Sequence, residues 1–302
     1  MTRPLLLLGP HGQVGHELQR ALAPLGPLVV WGRAQGGDLA QVARLVEAVR
    51  DLRPAVIVNA AAYTAVDRAE QEQAQAHLIN AQAPEALARV AEELGAWLVH
   101  YSSDYVFDGS GQQPWREDDA CAPLNVYGHS KWAGEQAIQA HCSRHLIFRT
   151  SWVFGVVGQN FAKTMVRLAL QRESLNVVAD QVGAPTAAAL IADVTAHALR
   201  QVWRAEAGAG LYHLSASGAC SWHEYAQHVI AQAQALRPEW AWLTRDIQAV
   251  DSGAFPVAAQ RPLNSRLQHQ RLREAFGLHL PDWQDGVSQM LRTWLGVSAP
   301  EV

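Results

Sequence analysis

Apolar residues along the chain fall into short unbroken runs separated by longer stretches in which they recur every three or four positions. Leu5–Leu8 is a run of strand length, and Leu18, Leu22 and Leu25 follow it at helical spacing. The succession repeats with Leu28–Trp31 and a helix from about Leu39 to Arg50, then with Pro54–Asn59 and helical periodicity over 67–94, which Pro84 is expected to split into two helices. A fourth strand spans 96–101 and a fifth His145–Arg149. Strand and helix in alternation predict an α/β fold, a doubly wound parallel sheet of Rossmann type whose ligand crevice lies at the carboxyl ends of the strands.

Beyond Thr150 the alternation weakens. Ser151–Gly155 is aromatic, 160–172 and 187–203 read as helices, and a turn at Gly208–Gly210 precedes a strand at Leu211–Leu214. A helix near 222–235, an irregular segment to about 265 and a last helix at 283–295 complete the chain. We expect a first domain, 1–150, of this nucleotide-binding type, and a smaller, partly interleaved α/β substrate lobe over most of 151–302, with segments near 208–235 returning to the first domain.

Composition narrows the function classes. With 302 residues, 49% of them hydrophobic, the chain can fill a sizeable core. A net charge of -4 and no basic cluster interleaved with aromatics argue against a nucleic-acid partner. Cys121, Cys142 and Cys220 are odd in number and far apart, which argues against a disulfide framework or a zinc site and fits a reducing, cytoplasmic setting. No apolar stretch is long enough to span a membrane.

Two constellations carry chemistry. Gly9-Pro10-His11-Gly12-Gln13-Val14-Gly15 lies between the first strand and the first helix, the setting in which a glycine string makes a dinucleotide phosphate site. Gly9, Gly12, Gln13, Val14 and Gly15 are therefore candidate cofactor contacts through their backbone. At the end of the second strand Gly32-Arg33 stands where an acid would select NAD; Arg33 can pair with a 2′-phosphate, so NADPH is expected, with NADH as the alternative. Asp38 and Leu39 are placed to flank an adenine. Ala61, Ala62, Tyr63 and Thr64, after the third strand, are placed near the cofactor, and Asn80 can hold a water or a backbone group.

The second constellation is Ser103, Tyr127 and Lys131. Tyr127 and Lys131 are four apart, so they share one face of a helix, and the ammonium is expected to depress the phenol and make Tyr127 a general acid. Ser103, at a strand end, can hold the same reacting oxygen. The loop over 108–126 is of a length that is often functional. His223-Glu224-Tyr225-Ala226-Gln227-His228 imitates a zinc helix, but histidines five apart sit roughly 140° around it and are expected on the surface.

Gly-Gln-Val-Gly at 12–15, Asn-Ala-Ala-Ala at 59–62, Ser-Asp-Tyr-Val-Phe at 103–107 and Pro-Leu-Asn-Val-Tyr-Gly at 123–128 resemble the extended short-chain dehydrogenases/reductases. Phe-Arg-Thr-Ser-Trp at 148–152, Asp-Gln-Val-Gly-Ala-Pro-Thr at 180–186 and Arg-Pro-Leu-Asn-Ser-Arg-Leu at 261–267 extend the likeness, nearly end to end, to the dTDP-4-dehydrorhamnose reductase family. The resemblance implies NADPH-dependent reduction of the C4 ketone of a dTDP-linked 6-deoxy sugar. Tyr127 is then the proton donor, Lys131 supports it and the nicotinamide ribose, Ser103 stands where Thr is usual, and Ser103, Asp104 and Trp152 contact the sugar nucleotide. Related dehydratases carry Glu after that Asp; here it is Tyr105. A similar non-catalytic NADP-binding regulatory subunit of methionine adenosyltransferase is the other reading, against which the intact Tyr127/Lys131 pair argues. Some relatives dimerise around magnesium held by glutamates; Glu17 is retained, while Ala189 and Thr293 replace the others, so no metal and a monomer or metal-independent homodimer are expected.

Overall fold

In the computed structural model, which describes residues 3–205 and 208–297, the short apolar runs become the strands of one parallel sheet. β1 (Leu5–Leu8) pairs with β2 (Leu28–Trp31) on one side and β3 (Val56–Asn59) on the other, and β4 (Trp97–Ser103) and β5 (His145–Thr150) follow outward. The chain continues through β6 (Val153–Phe154), β7 (Ser174–Val178), β8 (Val182–Gly183) and β9 (Thr186–Ala187). It returns to the sheet with β10 (Gly210–His213), parallel to β5, and then forms β11 (Cys220–Ser221) and β12 (Asp246–Val250). The sheet order is β10-β5-β4-β3-β1-β2. Because the chain crosses back over β1 between β2 and β3, a crevice opens at the carboxyl ends of β1 and β3.

The leucine run of β1 is explained by burial on both faces. Successive side chains of a strand point to opposite sides. Leu5 and Leu7 join Val56, Val58 and Val99 beneath α1 (Gln13–Leu22), while Leu6 and Leu8 join Ile57 and Leu98 against α2 (Val42–Leu52). Fully burying one such side chain contributes about 1.5–3 kcal/mol, so the four leucines anchor β1 between β2 and β3, and the glycine turn leaves from its carboxyl end.

The helical stretch after β3 is built differently from expectation. α3 (Val66–Ala69) and α4 (Gln73–His77) lead into a π-turn, Leu78–Gln82, that runs without a break into α5 (Ala83–Leu94). Pro84 splits nothing, because the π-turn just before it re-spaces the backbone hydrogen bonds of the continuous helix, the Ala83 N–H reaching the Leu78 carbonyl, and so accommodates the ring and the missing N–H.

α6 (Val126–His141) packs on the sheet. α7 (Phe161–Ala169), α9 (Trp222–Leu236) and α11 (Trp283–Leu295) enclose a second core with Leu175, Val177 and Phe154, while α8 (Ala188–Ala205) returns to pack on α1 and α10 (Gln270–Phe276) borders β10. Of the 208–235 stretch, β10 lies in the main sheet and α9 in the second core. The segment expected to be irregular contains β12, parallel to β7; its Asp-Ile-Gln-Ala-Val offers too few apolar residues to stand out in the sequence. The metal-like histidines are half-buried, His223 Nε2 lying 2.9 Å from the Ile247 carbonyl and His228 packing edge-on to Trp283, because α9 and α11 share that core.

Candidate active site

The glycine turn is shaped by close backbone approach. Gly9 has φ +79°, and a Cβ there would lie 2.7 Å from the Ala61 nitrogen; one at Gly15 would lie 2.0 Å from the Gly9 oxygen. Gly12 differs, since the nearest atom to a Cβ built on it is the Gly9 oxygen at 3.5 Å. The fold alone does not need glycine at 12; the missing side chain leaves the start of α1 open to a ligand that approaches the backbone, as a pyrophosphate does. The side chains of the next two residues are committed elsewhere. Gln13 Nε2 donates to the Val153 carbonyl at 3.3 Å and its Oε1 accepts from Asn160 Nδ2 at 3.0 Å, and Val14 packs on the first core. Only their N–H groups remain for a phosphate.

At the end of β2, Arg33 opens an exposed 3₁₀ turn after Gly32, and His11 reaches across from the glycine turn to within 3.0 Å of where a Gly32 Cβ would stand. Asp38 Oδ1 accepts from the Ala40 N–H at 3.1 Å. Leu39 does not present its side chain to an adenine: it is 4% exposed and belongs to the core beside Leu6 and Leu45. At the end of β3, Ala61 and Ala62 are half-buried and Thr64 is exposed. Tyr63 is fixed by Asn80, whose Oδ1 accepts the Tyr63 N–H at 2.9 Å and whose Nδ2 donates to the Tyr63 carbonyl at 3.0 Å. The Tyr63 hydroxyl donates to Glu72 at 2.6 Å.

α6 carries Tyr127 and Lys131. Asn125 caps it, accepting the Gly128 N–H at 2.8 Å, and Glu70 takes the Val126 N–H at 2.9 Å. Gly128 and Gly134 let the helix close in, for a Cβ on either would lie 2.2 Å from the carbonyl oxygen of Tyr105 or Asn80. Lys131 is buried, its Nζ donating to the Tyr101 carbonyl at 2.5 Å and lying 3.2 Å from His100 Nε2. Burial pushes the lysine down to about 8, against the opposing charge of Glu135.

Tyr127 departs from expectation. Burial pushes it up to about 12, with the neighbouring Ser103 hydroxyl working against the rise and the charge of Asp104 adding to it. Lys131 does not depress it here, because its Nζ faces the Tyr101 carbonyl and His100. Tyr127 therefore holds its proton at neutral pH.

Ser103 ends β4, donating to Asp104 Oδ1 at 2.9 Å and accepting the Tyr105 N–H at 3.2 Å. Asp104 is 2% exposed, its Oδ2 has no hydrogen-bond partner among the described residues, and burial lifts its carboxyl to about 6 against hydrogen bonds from Ser265 and Ser103. The rings of Tyr105 and Tyr127 meet edge to face at 5.6 Å. Trp152 adopts φ +48°, left-handed for a bulky side chain, and stacks on Trp222 at 3.6 Å. Trp222 in turn lines a cleft of about 1050 Å³ with Phe161, Arg172, Gln248, Phe255 and Arg261. Tyr127 is not in that lining. The cleft wall reaches the start of α6 through Gln260, whose carbonyl accepts Asn125 Nδ2 at 2.7 Å, and α3 through Arg261, which pairs with Asp67 at 2.7 Å.

Sequence reasoning thus missed Asn125, Asp67, Arg261 and His100. Asn125 carried a readable signal, an Asn three residues before a helical Gly; the others carried none, since each acts through a partner distant in the chain.

The glycine turn at the switch point and the Ser–Tyr–Lys set at the strand ends define a nucleotide-dependent reductase of the short-chain dehydrogenase/reductase class. A family model described as RmlD substrate binding domain matches residues 2–295. The chain is 53% identical over 290 residues to the dTDP-4-dehydrorhamnose reductase of Shigella flexneri, covering 95% of this chain and 96% of that one. It is 44% identical over 295 residues to that of Burkholderia thailandensis, covering 96% and 99%. The crystal structure of dTDP-4-dehydrorhamnose reductase from Bacillus anthracis in complex with NADP superposes with a TM-score of 0.86 at 34% identity, over 97% of this chain and 100% of that one. The chain belongs to the dTDP-4-dehydrorhamnose reductase family.

Proposed function

We propose that this protein reduces the C4 ketone of dTDP-4-dehydrorhamnose, giving dTDP-L-rhamnose, with NADPH as reductant. The observation that carries the reading is the meeting of Ser103 and Tyr127 at the carboxyl end of β4, where Gly128 draws α6 against the Tyr105 backbone, with Lys131 one turn further along the same helix. Bound NADPH supplies the hydride. Gly9, Gly12 and Gly15 shape the turn that receives its pyrophosphate, Arg33 would meet the 2′-phosphate, and Ala61, Ala62, Tyr63, Thr64 and Lys131 would border its nicotinamide half.

The protein's own contribution is the proton and its placing. Tyr127 keeps its proton until negative charge grows on the C4 oxygen, then transfers it. The Ser103 hydroxyl holds that oxygen, and the Lys131 ammonium favours the phenolate left behind. Asp104 and Trp152 border the sugar, and the cleft beyond Trp222 is where the nucleotide belongs. Tyr105 occupies the place that a dehydratase gives to its glutamate, so the carboxyl on which dehydration would draw is missing from that position.

We further infer a cytoplasmic enzyme with no nucleic-acid or membrane partner, and a monomer or metal-independent dimer. Glu17 lies 3.7 Å from Arg20, and Ala189 and Thr293 offer no carboxylate to share a cation with it. Light scattering with and without EDTA should give one mass; a dimer that dissociates on chelation and reforms with magnesium refutes this. The function is tested by NADPH oxidation against a panel of dTDP- and UDP-linked 4-keto-6-deoxy sugars. Turnover should be fastest with dTDP-4-dehydrorhamnose, and Tyr127→Phe should lower it by roughly 10²- to 10⁴-fold while NADPH still binds. In the same assay Arg33→Ala should erase most of the preference for NADPH over NADH.

A further inference from the structure

Behind Lys131 lies a buried polar chain for which the reduction as written has no use. Asn59 and His100 face each other across β3 and β4, each 1% exposed. Asn59 Nδ2 lies 3.2 Å from His100 Nδ1, and His100 Nε2 lies 3.2 Å from Lys131 Nζ. The orientation of the Asn59 amide is fixed independently, because its Oδ1 accepts the Ala61 N–H at 3.2 Å. Its NH₂ must then donate to His100 Nδ1. A nitrogen that accepts carries no proton, so a neutral imidazole bears its proton on Nε2, the side that faces Lys131. An N–H opposite an ammonium is a repulsive contact, whereas an N–H opposite a neutral amine is a hydrogen bond.

We propose that His100 is a positioning residue for Lys131: with its proton fixed on Nε2 by Asn59, it favours the neutral amine at rest and turns a charged Lys131 away from the sheet, toward Tyr127 and the cofactor. The other groups around the pair do not reverse this. On its own helix Lys131 has Tyr127 four residues before it and Glu135 four after, and Glu135 is held by the two-pronged pairing with Arg149 on β5 at 2.9 and 2.7 Å. The Tyr101 carbonyl, on β4, accepts from either form of the lysine. The chain also runs back to the glycine turn, since Ala61 abuts Gly9, so cofactor contact at one end is mechanically linked to the lysine at the other. Burial, acting before any charge, lowers both His100 and Lys131, which keeps the imidazole neutral as the argument requires.

This inference rests on the assignment of Tyr127 and Lys131 as the acid and its support, and its test is arranged so that the two fail separately. The imidazole tautomer is read without turnover, from ¹⁵N shifts of the histidine-labelled free protein, with His100→Gln identifying the signal. The expected form is Nε2–H in the native protein and Nδ1–H in Asn59→Asp, whose carboxylate keeps the Ala61 contact but accepts from Nδ1. In Asn59→Asp the bare Nε2 would welcome the ammonium, so the alkaline limb of the pH profile of kcat/KM should move up by about one pH unit, a tenfold gain in proton affinity. Should Asn59→Asp not fold, His100→Gln, whose amide oxygen can accept from Lys131, must move the limb the same way while NADPH still binds. A native Nδ1–H form, or a limb that stays fixed in the variant that folds, overturns the proposal. Absent turnover in the native enzyme would instead refute the function, and the tautomer would still decide this one.

Discussion

Asp104, which we propose borders the sugar, keeps a carboxyl where burial opposes its charge. Its folded carboxyl is lifted by burial to about 6, above the ordinary value of 3.8, so the folded state holds the proton more tightly than the unfolded one. The cost is absent below the unfolded value, grows as pH rises between the two, and is fully present above the folded one. Asp104→Asn should therefore melt higher than the native protein at pH 7.5, by an amount on the order of 2–3 kcal/mol, and bind the sugar nucleotide more weakly. Paired melting curves at pH 7.5 and pH 4 check it, because the gain must shrink toward zero at the lower pH. At this scale the sequence was legible where chemistry follows from spacing. Tyr127 and Lys131 could be found because four residues is one helical turn. It was illegible where chemistry follows from burial: nothing local to Tyr127 says that desolvation outweighs the nearby lysine, or local to Leu39 that its side chain turns into the core.

The glycine turn offers the sharpest prediction for a single element, because Gly12 and Gly15 look alike in the sequence and unlike in space. A methyl group at Gly15 would overlap the Gly9 carbonyl at 2.0 Å, so Gly15→Ala must displace the turn, lowering both melting temperature and NADPH affinity. At Gly12 the nearest atom is 3.5 Å away, and the residue precedes α1 with φ -77°, a value alanine adopts freely. Gly12→Ala should melt within about 0.5 kcal/mol of the native protein yet bind NADPH more weakly; equal affinity would show that the cofactor keeps away from this backbone. Calorimetric titration beside thermal melts separates the two. Helices and buried strands were legible because their periodicity is local. The π-turn at Leu78–Gln82 was not, since it is set by Asn80 reaching Tyr63 and by Gly134 closing on the Asn80 carbonyl, both contacts between distant residues.

For the molecule as a whole, the segment 252–265 joins the two cores over the cleft. Asp180 holds its start through Ser252, Asp67 holds Ala259 and Arg261, and Asn125 holds Gln260. The Asp67–Arg261 pair is partly exposed and worth at most about 1 kcal/mol, so Asp67→Ala should raise KM for the sugar nucleotide up to about fivefold with kcat and NADPH affinity little changed. Steady-state kinetics with each substrate varied in turn would show it, and an equal fall in kcat would place Asp67 in the chemistry instead. The architecture of the first 150 residues was legible, that of the remainder less so, because the second core draws on short strands and on contacts between segments far apart in the chain, Ser174 of β7 pairing with Asp246 of β12. The late arrival of β10 matters during synthesis. β5 is complete at Thr150, but the strand that covers its outer edge ends at His213, so the ribosome must add 63 more residues, roughly 3–13 s of elongation at about 5–20 residues per second, before Leu146, Ile147 and Phe148 gain their last neighbour. Throughout that interval the nascent chain carries an unpaired, apolar sheet edge, and a polypeptide stopped at residue 150 would carry it permanently.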